Sequence, residues 1–432
     1  MPSILLKNAT SITLNPPSIE SVDLRISNGI ISDKGKKQNP GKGEEVIDLK
    51  GAVVMPGLIN SHTHLYSSLV RGMPGPSRQP KNFTDILKLV WWKLDKALDD
   101  EAVYYSALIG SIEAARYGTT MLIDHHASPN AIPGSLDIIK QAIDEVGIRG
   151  VLCYETSDRD GMKKRDEGLK ENWRFIASNI NNDRFRGLVG AHASFTLCDD
   201  SLRQCSEIAA QFNTGVHIHV AEAVDDSVGT KKNFKQGIMQ RFEKHNILRE
   251  HSIFAHAVHL TPAELKKVSA AKTWLVHNPR SNMNNQVGYA HLEHFGERSA
   301  LGTDGFPADM FEEAGIGFYR IRDSQSQADG STPIRLLNGG HQMASELFNK
   351  NYGSLAKGSP ADIIILDYHS PTPMTKENVL WHFLFGMKSA MVNSVIVDGK
   401  WVVKKRAITG INIEKTYQQA SRVAQKIWAR VK

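Results

Sequence analysis

The sequence contains histidines in pairs separated by one residue, a spacing that suits metal binding. His62 and His64 close the stretch MPGLINSHTH, and His217 and His219 lie in VHIHV. In a β-strand, residues two apart face the same side, so each pair directs two imidazoles to one place. Neutral imidazoles bind divalent metal ions, and we therefore predict that His62 and His64 form half of a metal site.

Two acidic residues follow other apolar runs at positions where they complete such a site. Glu222 comes three residues after His219 in HIHVAE, and Asp304 lies in LGTDG. A carboxylate at Asp304 can complete the metal shell or accept a proton from water. We interpret His217, one step further down its strand than His219, as a packed or supporting group and not as a ligand.

Five further polar residues follow strand-like runs and are candidates for contact with a substrate or an attacking water. His256 (FAHAV) and His192 (GAHAS) end two such runs, and either can polarise a substrate or orient water. Arg71 is a candidate polar contact on a loop. Two alternatives stay open for each of the other two residues. His125 would either enter a pocket or cap a loop. Arg280 would either clamp a carbonyl or carboxylate of the substrate or form an ion pair that points outward.

The elements that must position these residues alternate between short apolar strands and helical stretches. Eight candidate strands precede the polar residues; they are AVVMPGLIN, TTMLI, RGVLCY, FRGLVG, VHIHV, IFAHAV, TWLV and SAL. This rhythm predicts an α/β fold, a (β/α)8 TIM barrel over residues 56–355, with the site at the carboxyl ends of the strands. Residues 1–55 and 356–432, rich in short alternating strands, are predicted to form one composite β-sandwich domain with a C-terminal helix.

Composition excludes several classes of protein. The 432 residues are 41% hydrophobic and 23% charged, as is usual for a globular protein, and the net charge of +6 is spread thinly. The basic clusters are short and without aromatic residues, which argues against nucleic-acid binding. Three cysteines, no signal peptide and no apolar run of about 18 residues predict a cytoplasmic protein without a membrane span.

The motifs MPGLINSHTH, HIHVAE, AHAVHL, HNPRSN and LGTDG occur in one order along the chain. In this order they resemble the metal-dependent amidohydrolase superfamily, in the branch that holds chlorohydrolases and aminohydrolases of triazines and purines. The stretches WWKLDKALD, IDHHASP, HNPRSNMNNQVGY and LGTDGFPADMFEE are similar to the SsnA-type aminohydrolases. The resemblance covers essentially the whole chain, including the divided β-domain.

The resemblance implies a role for each candidate residue. One divalent metal ion, usually Zn²⁺ and in some relatives Fe²⁺, would be bound by four residues: His62, His64, His219 and Asp304. Glu222 would carry protons, His256 would lie beside the attacking water and His192 would contact the substrate. Because no lysine ends the third or fourth strand, one metal ion is expected and not two.

The chemistry that fits these roles is hydrolytic deamination of an aminated nitrogen heterocycle, such as a purine, pterin or triazine. A divalent ion lowers the pKa of water from 15.7 to roughly 7, Asp304 accepts a proton and Glu222 protonates the ring nitrogen. Alternatives are hydrolysis of a cyclic amide or a carbon–halogen bond at the same site, or a metal-binding scaffold without turnover. The resemblance also implies a homodimer or a larger homo-oligomer.

Overall fold

The computed structural model describes residues 3–431, and short strands alternate with helices along most of them. The strands are β1 (Ile4–Leu14), β2 (Pro17–Ser27), β3 (Ile30–Gly35), β4 (Glu45–Asp48), β5 (Val53–Pro56), β6 (Leu58–Thr63), β7 (Thr119–His126), β8 (Arg149–Tyr154), β9 (Phe185–Gly187), β10 (Val189–Ala193), β11 (Val216–Val220), β12 (Ile253–His256), β13 (Trp274–His277), β14 (Ser299–Leu301), β15 (Ile363–Leu366), β16 (Val392–Val397), β17 (Lys400–Lys404) and β18 (Ala407–Ile408).

The α-helices fall mainly between the strands of the central part of the chain. They are α1 (Phe83–Ile86), α2 (Trp92–Ala97), α3 (Asp100–Arg116), α4 (Ser135–Val146), α5 (Met162–Asn179), α6 (Asp199–Gln211), α7 (Val224–Phe234), α8 (Ile238–Lys244), α9 (Pro262–Ala270), α10 (Pro279–Asn284), α11 (Met310–Asp323), α12 (Thr332–Phe348), α13 (Val379–Trp381) and α14 (Ile413–Val431). A 3₁₀ turn covers Leu65–Val70, and a π-helical turn, Leu87–Trp91, runs directly into α2.

The barrel consists of two parallel sheets. One has the order β6-β7-β8-β9 and the other β10-β11-β12-β13-β14. Isolated parallel bridges join them, Thr63 to Asp304 at one seam and Thr156 to Ala191 at the other, so the ladder is not continuous around the wall. Since parallel strands end at the same side, the polar residues after them meet at one mouth. The predicted (β/α)8 class is confirmed in this form.

Both ends of the chain contribute to a separate nine-stranded sheet. Its order is β18-β17-β16-β15-β5-β1-β2-β3, and β4 also pairs with β1. Val54, Ile363 and Ile396 face a core made by the sheet itself, whereas the alternate residues Met55 and Ile364 pack toward the barrel helices. This alternation is what strands buried on two sides require.

Three predicted strands, β8, β11 and β14, have the predicted bounds, but the first barrel strand was predicted too long. AVVMPGLIN is divided at Gly57 into β5, which joins the nine-stranded sheet, and β6, which joins the barrel. A side chain at position 57 would lie 2.3 Å from Thr120, so only glycine fits at this crossing. A continuous apolar run does not reveal such a change of sheet.

The C-terminal helix α14 packs on the barrel helices α2 and α3. It was predicted as part of the composite domain. Trp428 donates its indole N–H to the carbonyl of Leu69 at 2.9 Å, and Arg430 donates to the carbonyl of Ala97 at 2.9 Å. Among the helices of residues 3–431, none combines the length and the apolar character needed to cross a bilayer.

Candidate active site

The residues predicted to bind metal lie together at the mouth of the barrel. His62 is in β6 and His64 follows it, His219 is in β11, and Asp304 comes three residues after β14. His64 Nε2 lies 2.8 Å from Asp304 Oδ1 and 3.1 Å from His219 Nε2, and His62 Nε2 lies 3.4 Å from the same carboxylate oxygen. We call these four residues the donor cluster.

Hydrogen bonds on the far side of each imidazole orient the ligand nitrogens of the donor cluster. His64 Nδ1 donates to the carbonyl of His125 at 2.6 Å, and His219 Nδ1 donates to the carbonyl of His192 at 2.9 Å. An imidazole that donates from Nδ1 presents an unshared electron pair at Nε2 when it is neutral. These bonds therefore fix the tautomer that binds a metal.

The third imidazole, His62, is oriented by a side chain and not by the backbone. Its Nδ1 lies 2.9 Å from His217 Nε2, and His217 Nδ1 lies 3.7 Å from the Cys153 sulfur, which donates to the carbonyl of Asp124 at 3.5 Å. All these side chains are fully buried. The sequence interpretation of His217 as a supporting group agrees with its position beneath His62.

The donor set fits a divalent ion. Burial lowers the pKa of His62 to about 3, and burial with the neighbouring imidazoles lowers that of His219 well below its usual range, so both are neutral. Burial opposes protonation of His64, but Asp304 raises its pKa to about 9. The unshared electron pairs of His62 and His219 and the carboxylate of Asp304 therefore surround the protonated His64 ring, so the set holds a positive charge, and nitrogen and oxygen donors of this kind suit zinc.

His256 adds a further nitrogen beside the donor cluster. Its Nε2 and the donor atoms of His62, His219 and Asp304 all lie within 4.8 Å of one another. His256 Nδ1 donates to Asn282 Oδ1 at 2.8 Å, and its backbone has the unusual φ of 74°. The ring is thus held with Nε2 directed at the site, where it can bind the ion or contact a water beside it.

Glu222 is a second carboxyl group next to His256, and its surroundings shift its pKa in the direction opposite to that of Asp304. Glu222 Oε2 lies 3.6 Å from His256 Nε2, and Asn285 donates to Glu222 Oε1 at 3.2 Å. Burial raises the pKa of Glu222, whereas His64 and His62 outweigh burial and hold the pKa of Asp304 well below its usual range. One carboxyl is suited to donate a proton and the other to accept one.

A cavity opens from the donor cluster between the loops after the strands. His192, Glu222, Asn285, Trp91 and Trp92 are among the residues that line it. His192, predicted to contact the substrate, is 6% exposed and lines this cavity. Trp91 and Trp92 both line the cavity, at the point where the π-helical turn ends and α2 begins.

Three predicted substrate contacts lie elsewhere. The Arg71 guanidinium pairs with Glu113 at 2.6 Å in a neighbouring cleft, and 60% of its side chain is exposed. The Arg280 guanidinium pairs with Glu313 and Glu312, so the structure shows the outward ion pair and not the clamp.

His125 is fully buried beneath the donor cluster, where its Nε2 faces the carbonyls of Ala191 and His217, both at 3.1 Å. It supports the floor of the site and does not reach the cavity.

Sequence reasoning missed three charged residues of the cavity wall. Asp95 is in α2, Glu155 follows β8, and Arg159 lies in the next loop. Arg159 Nη2 pairs with Asp95 Oδ2 and lies 4.0 Å from Glu155 Oε1. Glu155 directly follows a barrel strand, which is a signal for the site, but Asp95 lies in a helix outside that pattern.

Comparison with known proteins gives consistent results. The family model described as "Amidohydrolase family" matches residues 53–402. A 5-methylthioadenosine/S-adenosylhomocysteine deaminase of Caldanaerobacter subterraneus subsp. tengcongensis is 28% identical, with 98% of each chain covered. A 5'-deoxyadenosine deaminase of Methanococcus vannielii is 29% identical, with 92% of each chain covered.

Solved structures show the same fold. An adenosine deaminase from Xanthomonas campestris with bound zinc superposes with a TM-score of 0.86 at 20% identity, covering 98% of both chains. Atrazine chlorohydrolase TrzN from Arthrobacter aurescens TC1, complexed with zinc, gives a TM-score of 0.79 at 19% identity, covering 98% of this chain and all of that one.

Proposed function

The chain belongs to the amidohydrolase family, and from this premise we propose that it deaminates an adenosine-type nucleoside by hydrolysis. The protein is a hydrolase of carbon–nitrogen bonds other than peptide bonds, and its similar proteins include deaminases of modified adenosines. The observation that carries the proposal is a second buried carboxyl group at the donor cluster: Glu222 Oε2 lies 3.6 Å from His256 Nε2, and Glu222 lines the same cavity as Asp304.

We assign the metal site to the donor cluster, with Zn²⁺ as the ion. A bound divalent ion supplies a Lewis acid that brings the pKa of water near neutrality. Around it, Asp304 Oδ1 is directed at His64 and His62, and Asp304 Oδ2 accepts a hydrogen bond from Ser281. The low pKa of Asp304 keeps the carboxylate ionised, so it can take up a proton from the attacking water.

Glu222 is assigned to proton transfer to the substrate ring, whereas Asp304 is assigned to the attacking water. As a buried neutral acid it donates a proton to the ring nitrogen next to the amino group, which makes the carbon easier to attack. After the addition, the proton held by Asp304 passes to the amino group, the carbon–nitrogen bond breaks and ammonia leaves, while Glu222 recovers a proton from the added hydroxyl as the carbonyl forms. Asn285 holds Glu222 Oε1, and the other oxygen is directed toward His256.

The aromatic and polar residues that line the cavity suit a flat heterocyclic ring as the substrate. His192 Nδ1 is hydrogen-bonded to Thr196 Oγ1 at 2.7 Å, which fixes the imidazole at the edge of the cavity. Burial lowers the pKa of His192 to about 4, so the ring is neutral and able to exchange hydrogen bonds with ring nitrogens. Trp91 and Phe195 supply apolar and aromatic surface on the walls.

Release of ammonia from the zinc-loaded enzyme tests the proposal. The panel is adenosine, 5'-deoxyadenosine, adenine, a pterin with an amino group and an aminotriazine. The Glu222→Gln protein under the same conditions gives the background release. We expect the two nucleosides to release ammonia above this background. Release only from the pterin or triazine would refute the adenosine-type substrate. A chlorotriazine and a cyclic amide are assayed beside the panel, and release of chloride or of acid from them would favour the alternative hydrolases.

A further inference from the structure

The last turn of helix α10 lies beside both carboxyl groups of the site. Ser281 in this helix and Asn285 at its end are four residues apart, so their side chains lie on one face. Ser281 is 2% exposed and Asn285 8%. Ser281 bonds Asp304, and Asn285 bonds Glu222. The helix therefore places one uncharged polar side chain against each carboxyl group.

The hydrogen bonds of these two side chains run in one direction. Asn285 Nδ2 donates to Glu222 Oε1 at 3.2 Å and to Ser281 Oγ at 3.3 Å, which uses both hydrogens of the amide nitrogen. Ser281 Oγ has a single hydrogen and donates it to Asp304 Oδ2. Because an ionised carboxylate only accepts, this order cannot be reversed while Asp304 is ionised.

A neighbouring side chain fixes the orientation of the Asn285 amide. Asn284 Nδ2 donates to Asn285 Oδ1 at 3.1 Å, so the oxygen of the amide faces Asn284 and its nitrogen faces Glu222. Within residues 3–431, no second hydrogen bond reaches the carboxyl group of Glu222. The two oxygens of Glu222 are therefore made unequal by Asn285 alone.

We propose that Asn285 is a positioning residue that keeps the acidic proton of Glu222 on Oε2. In a neutral carboxyl group the carbonyl oxygen accepts and the hydroxyl oxygen carries the proton, so an N–H directed at Oε1 favours the hydroxyl at Oε2. That oxygen lies 3.6 Å from His256 Nε2 and faces the reacting centre. Through Ser281, the same amide holds Asp304 Oδ2 and leaves Oδ1 for the donor cluster. The inference rests on the proposed function, because it takes Glu222 as the proton donor.

Steady-state kinetics of zinc-loaded variants tests the positioning role. Asn285→Leu has a similar volume and removes both N–H donors, so kcat for adenosine should fall about 10–100-fold while KM changes less than about threefold. Asn285→Asp should lower kcat further, because an acceptor at this place draws the proton of Glu222 to Oε1. A rise in KM with kcat unchanged would make Asn285 a substrate contact and overturn the proposal.

Two further positions keep the kinetic test decisive. Ser281→Ala removes only the link to Asp304, so kcat should fall about tenfold, and Ser281→Thr, which keeps the hydroxyl, should recover most of that loss. Asn179→Leu is the matched control, because Asn179 is a buried amide that bonds Lys140 and the carbonyl of Phe175 outside the cavity. Equal losses in Asn179→Leu and Asn285→Leu would contradict a positioning role.

Infrared difference spectroscopy tests the same hydrogen bond without turnover. The C=O stretch of protonated Glu222 is the band that the zinc-loaded protein shows and the zinc-loaded Glu222→Gln variant lacks. Because a hydrogen bond to a carbonyl oxygen lowers its stretching frequency, the band should shift upward in Asn285→Leu and stay in place in Asn179→Leu. Asn285→Ala, which adds no bulk, gives the same readout if the leucine variant does not fold. A band that stays in place would overturn the proposal.

The outcomes separate this inference from the proposed function. If the band shifts while the unmutated enzyme releases no ammonia from either nucleoside, the position of the proton is supported and the adenosine-type substrate is wrong. If adenosine is deaminated but neither kcat nor the band responds to Asn285→Leu, the positioning role is refuted and the reaction stands. Absence of a protonated Glu222 band from the unmutated protein would refute both the positioning role and Glu222 as the proton donor.

Discussion

The donor cluster and the charged wall of the cavity, formed by Asp95, Glu155 and Arg159, are both largely buried, but their polar atoms are arranged in opposite ways. In the donor cluster, His62, His64 and His219 each have a fixed hydrogen-bond partner at Nδ1, and their Nε2 atoms converge on one centre. In the charged wall, Arg159 pairs with Asp95 and Asp160 and lies 4.0 Å from Glu155, so the charges face one another. The first region therefore presents its donor atoms to one centre, as an ion requires, whereas the charges of the second are paired within the protein.

This comparison predicts that changes in the donor cluster and beside it affect the reaction itself, whereas changes in the wall affect which substrate reacts. The largest effect is expected for Glu222→Gln. The amide cannot donate and recover a proton, so kcat/KM should fall by about 10²–10⁴-fold while one zinc ion per chain is retained. Steady-state kinetics and metal analysis of the same preparation measure both quantities.

Glu313→Gln is the control for Glu222→Gln. Both glutamates are buried and burial raises the pKa of both, that of Glu313 to about 7, but Glu313 faces Arg280. Equal losses of activity in the two variants would show that burial of a glutamate, and not its place beside the donor cluster, accounts for the loss.

The next largest effect is expected for His217, which orients His62 from beneath the donor cluster. His217→Phe removes the partner of His62 Nδ1 and keeps a similar volume, so zinc affinity should fall about 10–100-fold. His217→Gln retains an acceptor and should lose less. Competition with a chelator measures the affinity, and His277→Phe, a buried histidine at the end of β13 without a side-chain partner, is the comparison. Unchanged affinity in His217→Phe would mean that His62 needs no such support.

In the wall, Trp91→Ala should change selectivity more than rate. Trp91 lines both the main cavity and the neighbouring cleft, so removing its ring joins the two spaces. We expect KM for a compact nucleoside to rise about tenfold, with kcat changed less than threefold, and bulkier 5'-substituted adenosines to be affected least. A loss confined to kcat would place Trp91 in the reaction and weaken the division between the two regions.

The smallest effect concerns the pH dependence of stability. Burial raises the pKa of Asp124, beneath the donor cluster, to about 7 from an ordinary value near 3.8. The folded protein therefore holds a proton that the unfolded chain releases between these values, and this contribution to stability is lost as pH rises from about 4 to 7.

Asp124→Asn removes this titration and still offers an oxygen to the backbone N–H of Leu65. The Tm of the variant relative to the unmutated protein should therefore rise with pH, by about 1–3 °C between pH 5 and 8. Thermal unfolding at four pH values measures it, and a constant difference would show that Asp124 is ionised throughout.

The donor cluster could be predicted from the sequence because its geometry follows from strand periodicity and from the common end of parallel strands. His62 and His64 share a face by being two residues apart, and Asp304 follows the last strand. The wall could not be predicted in this way. Asp95 and Arg159 lie on a helix and a loop 64 residues apart, and only folding brings them together.

The two arginines predicted to contact the substrate show that the sequence does not reveal which partners folding brings near. Arg71 and Arg280 were chosen for their position after barrel strands, but each has a glutamate within reach that the sequence does not reveal. The division of the first strand at Gly57 was missed because both halves are apolar. Residues 56–355 as the limits of the barrel, the cytoplasmic location, the homo-oligomer and the likeness to SsnA-type proteins stay predictions.

The central claim is that one ion is held by the donor cluster. Anomalous diffraction from a zinc-loaded crystal, measured on both sides of the zinc edge, tests it most directly. The account predicts a single peak per chain, with His62, His64 and His219 Nε2 about 2.0–2.1 Å away and Asp304 at a similar distance. A peak held instead by Glu155 and His192, or no peak in protein saturated with zinc, would contradict it.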